Sequence, residues 1–280
     1  TGTVTLTLAA GAITDSNGAG TLNLTAGLAS LTGPSGIDLD TAITTLTAAS
    51  TDSDISIRES NAVALNTVNA GAGTVTLTLA AGAITDNNGV LNNLTANAAT
   101  LMAANGIGSA NALETQVNTL TFTNTASGNV RIAATGDVNI SGTDGGAGLI
   151  ELTAAGILTV GALANNGGGD TLLTANEINL TGGGNSVSGT GNLVLAPMSA
   201  AQSIVLGGAA DSGAGALDLT AGDLAALQNG FAQIRVGLAA GTGTLTVLNG
   251  ATGTVLQDPV FILGGSTLTG PDQATTWNLT

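Results

Sequence analysis

Two pairs of aspartates are the residues of this sequence whose type and spacing could carry acid–base chemistry. Asp38 and Asp40 form one pair, and Asp52 and Asp54 form the other, each with one residue between its members. In an extended strand, residues i and i+2 lie on the same face, so each spacing predicts two neighbouring carboxylates. Paired carboxylates cleave glycosidic bonds, which leaves a polysaccharide-cleaving site open. The alternative is that all four are solvent-facing acids in or near turns.

Positive charge is scarce along the whole chain. Three arginines, no lysine and no histidine stand against 18 acidic residues, which gives a formal net charge of −15. Arg58 and Arg131 occupy similar places in two related segments, and we expect each to pair with a nearby acid such as Glu59 or Asp137. Phosphate binding requires a basic face, so nucleic acid and anionic membrane surfaces are not expected partners.

Oxygen-rich segments raise two further binding chemistries. The segment 167–172 is Gly-Gly-Gly-Asp-Thr-Leu, a faint match to glycine- and aspartate-rich calcium repeats that occurs once. Weak Ca²⁺ binding there stands against a solvated turn. Threonines at every second position, in 3–7, 74–78 and 121–125, could form flat arrays like those of β-helical ice-binding proteins. The alternative is that threonine is a polar strand former on an exposed face.

These residues are set in a repeated framework of short strands. Residues 3–15 and 74–86 have the same sequence, TVTLTLAAGAITD, at an offset of 71 residues between Thr3 and Thr74. Aliphatic residues alternate with threonine in it, which is the period of a half-buried strand. Similar runs recur about every 20 residues, with Gly, Asn or Asp between them, and such internal repeats indicate a stacked architecture.

We therefore predict an all-β fold, a right-handed parallel β-helix (β-solenoid) with about 20 residues per coil and about fourteen coils. A narrow coil is expected to hold Ala, Val, Ile and Leu in its interior, and not large aromatic side chains. One short helix is predicted near residues 223–229, with Asp223 at its N-cap and Gly230 at its C-terminal stop.

The whole chain, residues 1–280, is predicted to be a single β-solenoid region. Super-repeat units cover about 1–71 and 72–145, and diverged coils cover 146–280. The chain begins and ends in repeat-like sequence, so we expect it to be a fragment of a longer protein. It has no cysteine, which excludes disulfides and thiolate metal sites. No run of eighteen apolar residues occurs, so membrane insertion is not expected.

Three segments resemble the repeat regions of large bacterial surface proteins of the filamentous-haemagglutinin type. They are GIDLDTAITTLTAASTDSDISIRESNAVAL, AGTVTLTLAAGAITD and DLAALQNGFAQIRVG. The resemblance implies the right-handed parallel β-helical stalk of a very long adhesin. The N-terminal secretion domain typical of that family is absent from this sequence, and no binding residue carries over from the family.

The sequence favours a non-enzymatic, extracellular structural or adhesive stalk segment that mediates bacterial cell-surface or biofilm adhesion. Two alternatives stay open: a fibre- or sheath-forming subunit that stacks end to end, and a polysaccharide-active β-helix enzyme. Expected partners are further copies of the chain, end to end or laterally, and surface glycans or neighbouring cells. The sequence assigns no catalytic, cofactor-binding or metal-binding residue, apart from the weak calcium possibility.

Overall fold

The protein is a parallel β-solenoid. The computed structural model describes residues 2–208, 215–248 and 256–264, and the backbone of the strand Thr267–Thr269. It has about 9 turns of about 21 residues and one short helix. The predicted fold class and coil length are confirmed. The prediction of about fourteen coils is wrong, because loops and one long excursion use residues without adding a coil. The hand of the coil stays a prediction.

The elements are short and follow one another closely along the chain. In chain order they are β1 Thr3–Thr7, β2 Ile13–Thr14, β3 Leu24–Thr32, β4 Ile37–Ala49, β5 Ile55–Glu59, β6 Val63–Asn69, β7 Thr74–Leu79, β8 Ile84–Asp86, β9 Leu94–Ala103, β10 Leu113–Asn124, β11 Val130–Ala134, β12 Val138–Asp144, β13 Ile150–Asn165, β14 Thr171–Leu180, β15 Val187–Gly189, β16 Asn192–Pro197, β17 Ser203–Leu206, β18 Ala216–Leu219, α1 Ala221–Ala226, β19 Gln233–Gly237, β20 Thr244–Val247, β21 Val260–Leu263 and β22 Thr267–Thr269.

The described residues fall into two compact units. The first contains residues 1–135 and 143–148, and the second contains 136–142 and 149–280. The prediction of one region over 1–280, with its super-repeat boundaries, stays a prediction.

The first unit is built on two ladders of parallel strands. Each turn of the chain contributes one strand segment to each ladder. Ladder A runs through the in-register residues Thr3, Leu28, Thr45, Ala64 and Thr85. Ladder B runs through Ile13, Ile37, Ile55, Val75, Ala99 and Leu120. Parallel ladders of this kind pair the backbone groups of each turn with those of its neighbours.

The two copies of the repeated sequence lie on different ladders. Val4 is on ladder A, paired with Ala29, whereas Val75 is on ladder B, paired with Ile55 and Ala99. After Thr3, ladder A gains one residue per turn, and the third and fourth of these are Ala64 and Thr85. Val75 lies between these two residues in the chain. The super-repeat therefore spans three and a half turns, and corresponding residues alternate between the two ladders.

The interior of the first unit is a stack of aliphatic side chains. On ladder B, Ile37, Ile55, Val75 and Leu120 are all buried. Each fully buried side chain of this size contributes about 1.5–3 kcal/mol. Each side chain is covered by the turns on both sides of it, so a turn depends on its neighbours for its own burial.

Aromatic side chains do enter the coil, and the prediction that they would not is wrong. Phe122 is the largest of the fully buried side chains, and it pairs in register with Leu101. The neighbouring strand supplies the small buried residues Ala99 and Ala103 on either side of Leu101, which leaves room for the ring. In the second unit Phe231 is buried as well.

The second unit contains an excursion that reverses the order of strands. Register partners Asn192 and Gln233 join β16 to β19 although 40 residues lie between them in the chain. The intervening segment contains β17, β18 and α1. Strand β18 follows β17 in the chain but pairs on the side of β17 opposite to β20, so the order is β18-β17-β20-β22.

The predicted helix exists but starts and ends earlier than the sequence indicated. Thr220 is the N-cap, and Asp223 is the third helical residue of a capping box in which each side chain binds the other's backbone N–H. The helix ends at Ala226, followed by an extended Leu227. Asp223 is not the N-cap, because the Thr220 hydroxyl accepts the backbone N–H of Asp223 and so caps the helix itself. Gly230 is not the stop, because the helix has already ended at Ala226.

Candidate functional site

Arg58 gathers three acids from neighbouring turns. Its Nη1 lies 2.6 Å from Asp38 Oδ1, its Nε lies 2.8 Å from Asp40 Oδ1, and its Nη2 lies 3.7 Å from Asp15 Oδ2. The register of β4 with β5 places Asp40 directly opposite Arg58. The predicted pairing of Arg58 with Glu59 is wrong, because successive residues of a strand point to opposite faces.

The first predicted carboxylate pair, Asp38 and Asp40, does lie together, but both carboxylates bind the Arg58 guanidinium. Asp38 and Asp40 share a strand face, as the spacing indicates, and both accept hydrogen bonds from Arg58. The hydrogen bonds that Arg58 donates to Asp38 and to Asp40 raise its pKa, which keeps the guanidinium charged. The guanidinium on β5 therefore joins two neighbouring turns, because it is hydrogen-bonded to both carboxylates on β4.

The second predicted carboxylate pair does not share a strand face. Asp52 and Asp54 lie in the turn between β4 and β5, and Asp52 has a left-handed backbone with φ of 51°. Asp52 Oδ1 accepts the backbone N–H of Ala72 at 2.8 Å, and Asp54 Oδ1 accepts that of Thr74 at 2.8 Å. Each carboxylate satisfies a backbone donor one turn further on. The polysaccharide-cleaving alternative stays a prediction. All four acids already accept hydrogen bonds, from Arg58 in the first pair and from backbone N–H groups in the second.

A loop of hydrogen-bonded Asp and Asn side chains follows β2; we name residues 15–23 the first Asx loop. Asp15 Oδ1 accepts Asn23 Nδ2 at 2.9 Å and the backbone N–H of Asn17 at 2.8 Å. The side-chain bond from Asn23 is the main reason that the pKa of Asp15 is lowered. The loop continues to Asn23, and β3 begins at Leu24.

The same loop is built a second time after β8; we name residues 86–93 the second Asx loop. Asp86 Oδ1 accepts Asn93 Nδ2 at 2.8 Å and the backbone N–H of Asn88 at 2.8 Å, and Asp86 Oδ2 accepts Asn111 Nδ2 at 2.5 Å. Burial raises the pKa of Asp86, but these bonds outweigh it and hold the pKa below its usual value. The carboxylate is ionised, and it fixes the loop.

The two Asx loops project from different ladders. The first loop follows β2 on ladder B, and the second follows β8 on ladder A. Each has exposed aliphatic residues between its polar anchors: Leu22 in the first loop is 47% exposed, and Val90 and Leu91 in the second are 90% and 65% exposed. Sequence reasoning found the duplicated turn but missed these side chains, because their exposure depends on the loop leaving the coil.

Among the described residues, three carboxylates are exposed by 1% or less, and sequence reasoning did not indicate their burial. Glu59 accepts the Thr41 hydroxyl at 2.6 Å, and burial raises its pKa. Burial also raises the pKa of Asp144, which accepts Asn124 Nδ2 at 2.9 Å. In the second unit, both carboxylate oxygens of Glu177 accept backbone N–H groups. The sequence does contain a signal for Glu59: it follows Ile55 and Ile57 at every second position of β5, and so it points inward with them.

The predicted calcium position is occupied by structural hydrogen bonds. Asp170 Oδ1 accepts the backbone N–H of Asn192 at 2.8 Å and its Nδ2 at 3.0 Å. Within the described part of the chain, no group of three or more Asp, Glu, His or Cys side chains is arranged to hold a metal ion. Asp137 accepts the backbone N–H of Ile157 at 2.7 Å, and its pairing with Arg131 stays a prediction.

The threonine rows lie on exposed or half-buried strand faces, but they do not form a broad array. On ladder B, Ser56, Thr76, Thr100 and Thr121 follow one another in register, which makes one continuous hydroxyl row. The neighbouring row is interrupted: Thr78 pairs with Met102. On ladder A, the row Thr5, Ser30 and Thr47 lies beside the short row Thr7 and Thr32, so the hydroxyl surface is at most a narrow strip, which fits a plain polar strand face better than a broad lattice.

A cleft of about 230 Å³ lies beside α1 in the second unit. Leu224, Gln228, Asn229 and Asp258 are among the residues that line it. The Asp258 carboxylate accepts a hydrogen bond from the backbone N–H of Phe231 at 3.1 Å, so it already has a structural partner. Amide and aliphatic groups dominate the described lining, which includes no pairing of a nucleophile with a base.

These features define a β-helical repeat protein whose polar side chains mainly fasten one turn to the next. No protein-family model, curated protein or solved structure matches the chain. Within the described residues, no helix is both long enough and apolar enough to cross a bilayer.

Proposed function

We propose that this chain is a non-enzymatic segment of an extracellular bacterial adhesin, of the filamentous-haemagglutinin-like kind, that works as an adhesive stalk. The observation that carries the proposal is the Asx loop, which is built twice with exposed aliphatic residues and projects once from each ladder. A stalk that joins surfaces needs contacts on more than one side, and a super-repeat of three and a half turns supplies them by geometry alone.

The rest of the first unit supports a structural role. Turn carboxylates such as Asp52 and Asp54 cap backbone groups one turn away, and Arg58 braces three acids. The Asx loops are fixed by their own hydrogen bonds, so their aliphatic tips are held ready at little entropic cost on binding. The partners we propose are surface glycans or envelope components of neighbouring cells, in an extracellular or cell-surface setting such as a biofilm.

The experiment separates binding from bridging. The purified chain is mixed with a panel of bacterial cells, and both cell-bound protein and agglutination are measured. Two contact loops per molecule predict binding and agglutination. Leu91→Ser combined with Val90→Ser removes one contact, so the variant still binds through the first loop but agglutinates poorly. Adding Leu22→Ser abolishes binding as well.

Met198→Ser is the matched control, since Met198 is also exposed but lies outside both loops. It should bind and agglutinate as the parent does. The proposal fails if the parent binds none of the cells, or if the triple loop variant binds as well as the parent. Cleavage of any cell-surface polysaccharide by the parent chain, lost on Asp38→Asn with Asp40→Asn, would favour the enzymatic alternative instead.

A further inference from the structure

Five asparagine–glycine pairs lie in the loops of the described chain. An asparagine followed by a glycine is open to spontaneous deamidation, in which the glycine nitrogen attacks the asparagine side chain. Glycine has no Cβ to hinder that approach. The pairs are Asn17–Gly18, Asn88–Gly89, Asn105–Gly106, Asn166–Gly167 and Asn229–Gly230.

In four of these pairs, the glycine N–H donates a hydrogen bond to an Asp or Asn side chain. The attack requires the glycine nitrogen to lose its proton, and an acceptor oxygen keeps that proton in place. A carboxylate acceptor opposes the reaction further, because the deprotonated nitrogen would be a second negative charge beside it. The bonds join Gly18 to Asp15, Gly89 to Asp86 at 3.2 Å, Gly106 to Asn124 at 2.9 Å and Gly230 to Asp258 at 3.1 Å.

The side chains of the same four asparagines are hydrogen-bonded as well. A carboxamide in such a bond must leave its partner before its Cγ can face the backbone nitrogen, which adds to the reaction barrier. Both reacting groups of each pair are therefore held apart by the fold. Asn17 bonds Asn23 at 2.8 Å, Asn88 bonds Asn93 at 2.9 Å, Asn105 bonds Ser127 at 3.3 Å and Asn229 bonds Gln257 at 3.2 Å.

The fifth pair, Asn166–Gly167, has neither protection. Asn166 is exposed, and within the described residues neither its side chain nor the Gly167 N–H has a hydrogen-bond partner. The preceding residue, Asn165, is buried and donates to the carbonyl oxygens of Gly169 at 3.0 Å and Asp170 at 3.1 Å. Asn165 therefore fixes the ends of the turn, while both reacting groups of the next pair stay free to meet.

We propose that Asn166 is a spontaneous deamidation site, and that it reacts faster in the folded chain than the other four asparagines. The deprotonated backbone nitrogen of Gly167 attacks Cγ of Asn166, the Cγ–Nδ2 bond breaks and ammonia leaves. Water then opens the resulting succinimide ring at one of its two carbonyl carbons. The products are aspartate and isoaspartate at position 166, with one water consumed and one ammonia released. This modification does not depend on the adhesive role proposed above.

Deamidation adds a negative charge to the turn between β13 and β14 without removing an anchor of that turn. The anchors are the bonds from Asn165 and the Asp170 carboxylate, which accepts the backbone N–H of Asn192 at 2.8 Å. Asn166 takes part in neither. We therefore expect the modified chain to stay folded, with a thermal midpoint close to that of the unmodified chain.

The test follows deamidation of the purified 280-residue chain by mass spectrometry during incubation at mildly alkaline pH. Cleavage after glutamate releases residues 152–177, and fragmentation of that peptide assigns the modified residue. Asn166 should deamidate at least about tenfold faster than the other four asparagines, because breaking a hydrogen bond adds to the barrier of each of those four.

Unfolding in urea is the matched control, because it removes the protection without changing the sequence. All five pairs should then react at similar rates. Asp258→Ala removes the acceptor of the Gly230 N–H, so it should speed the deamidation of Asn229 and leave Asn166 unchanged. Gly167→Ala adds a Cβ at the attacking residue and should slow Asn166 alone. The proposal is overturned if Asn166 reacts no faster than the others in the folded chain, or if its advantage persists in urea.

Discussion

Leu6 and Leu77 allow one substitution to be made twice in the same sequence with different expected costs. Both are the fourth residue of TVTLTLAAGAITD, but Leu77 is fully buried and Leu6 is 41% exposed. Leu77→Ala removes side-chain atoms that are covered by turns on both sides. Leu6→Ala removes atoms that are covered on one side only.

The expected magnitudes follow from burial and from the cavity left behind. A buried Leu→Ala substitution costs about 2.7–5 kcal/mol, of which the unfilled cavity is a large part. Leu77→Ala should fall in that range because the turns of β5 and β9 hold the cavity open. At Leu6 no cavity forms, and partial burial of a leucine leaves a cost of about 1 kcal/mol.

The assay is urea unfolding of the parent and of both variants, followed by far-ultraviolet circular dichroism. The free energy of unfolding should fall at least twice as much for Leu77→Ala as for Leu6→Ala. Equal losses would refute the placement of the two copies, because they would mean that both leucines are covered alike.

Three further substitutions test individual features of the coil. Burial raises the pKa of Glu59, so the ionised form of Glu59 destabilises the fold. The parent should therefore lose stability relative to Glu59→Gln as pH rises above about 4.5, and urea midpoints at pH 4 and 8 measure this loss. Asn93→Ala leaves buried backbone groups unpaired and should cost about 2–3 kcal/mol in urea unfolding, whereas Asn23→Ala, in the exposed first loop, should cost less. Phe122→Ala should cost about 3–5 kcal/mol against a near-neutral Phe261→Ala at an exposed ring; similar thermal shifts for the two would contradict the buried position of Phe122.

The fold could be predicted from the sequence because its signals are local and repeated. Alternation of Thr with Val and Leu defines the strands, and Gly, Asn and Asp define the turns between them. The thirteen-residue duplicate shows that the units stack. The half-turn offset of its copies could not be predicted, because it depends on the length of every loop between Thr3 and Thr74. The offset of 71 residues does not show how these residues are divided between strands and loops.

The side-chain partners were predicted less well than the strands. Arg58 pairs with Asp38 and Asp40 across turns, which requires the register of β4 with β5. The sequence offered Glu59 because it is adjacent in the chain, although it points into the coil. The α1 boundaries were wrong for a related reason: two residues, Thr220 and Asp223, both suit an N-cap, and only their mutual hydrogen bonds decide between them.

Disulfide cross-linking tests most directly whether the two copies lie on different ladders, and the absence of native cysteines makes it clean. Ser56 and Thr76 are register partners on ladder B, and adjacent strands lie about 4.8 Å apart, which is within the range of a disulfide. Thr47 belongs to ladder A, with Ser30 and Thr67 as its partners. Under mild oxidation, Ser56→Cys with Thr76→Cys should cross-link rapidly and Thr47→Cys with Thr76→Cys should not. The reverse result would place the second copy on the ladder of the first and contradict the half-turn offset.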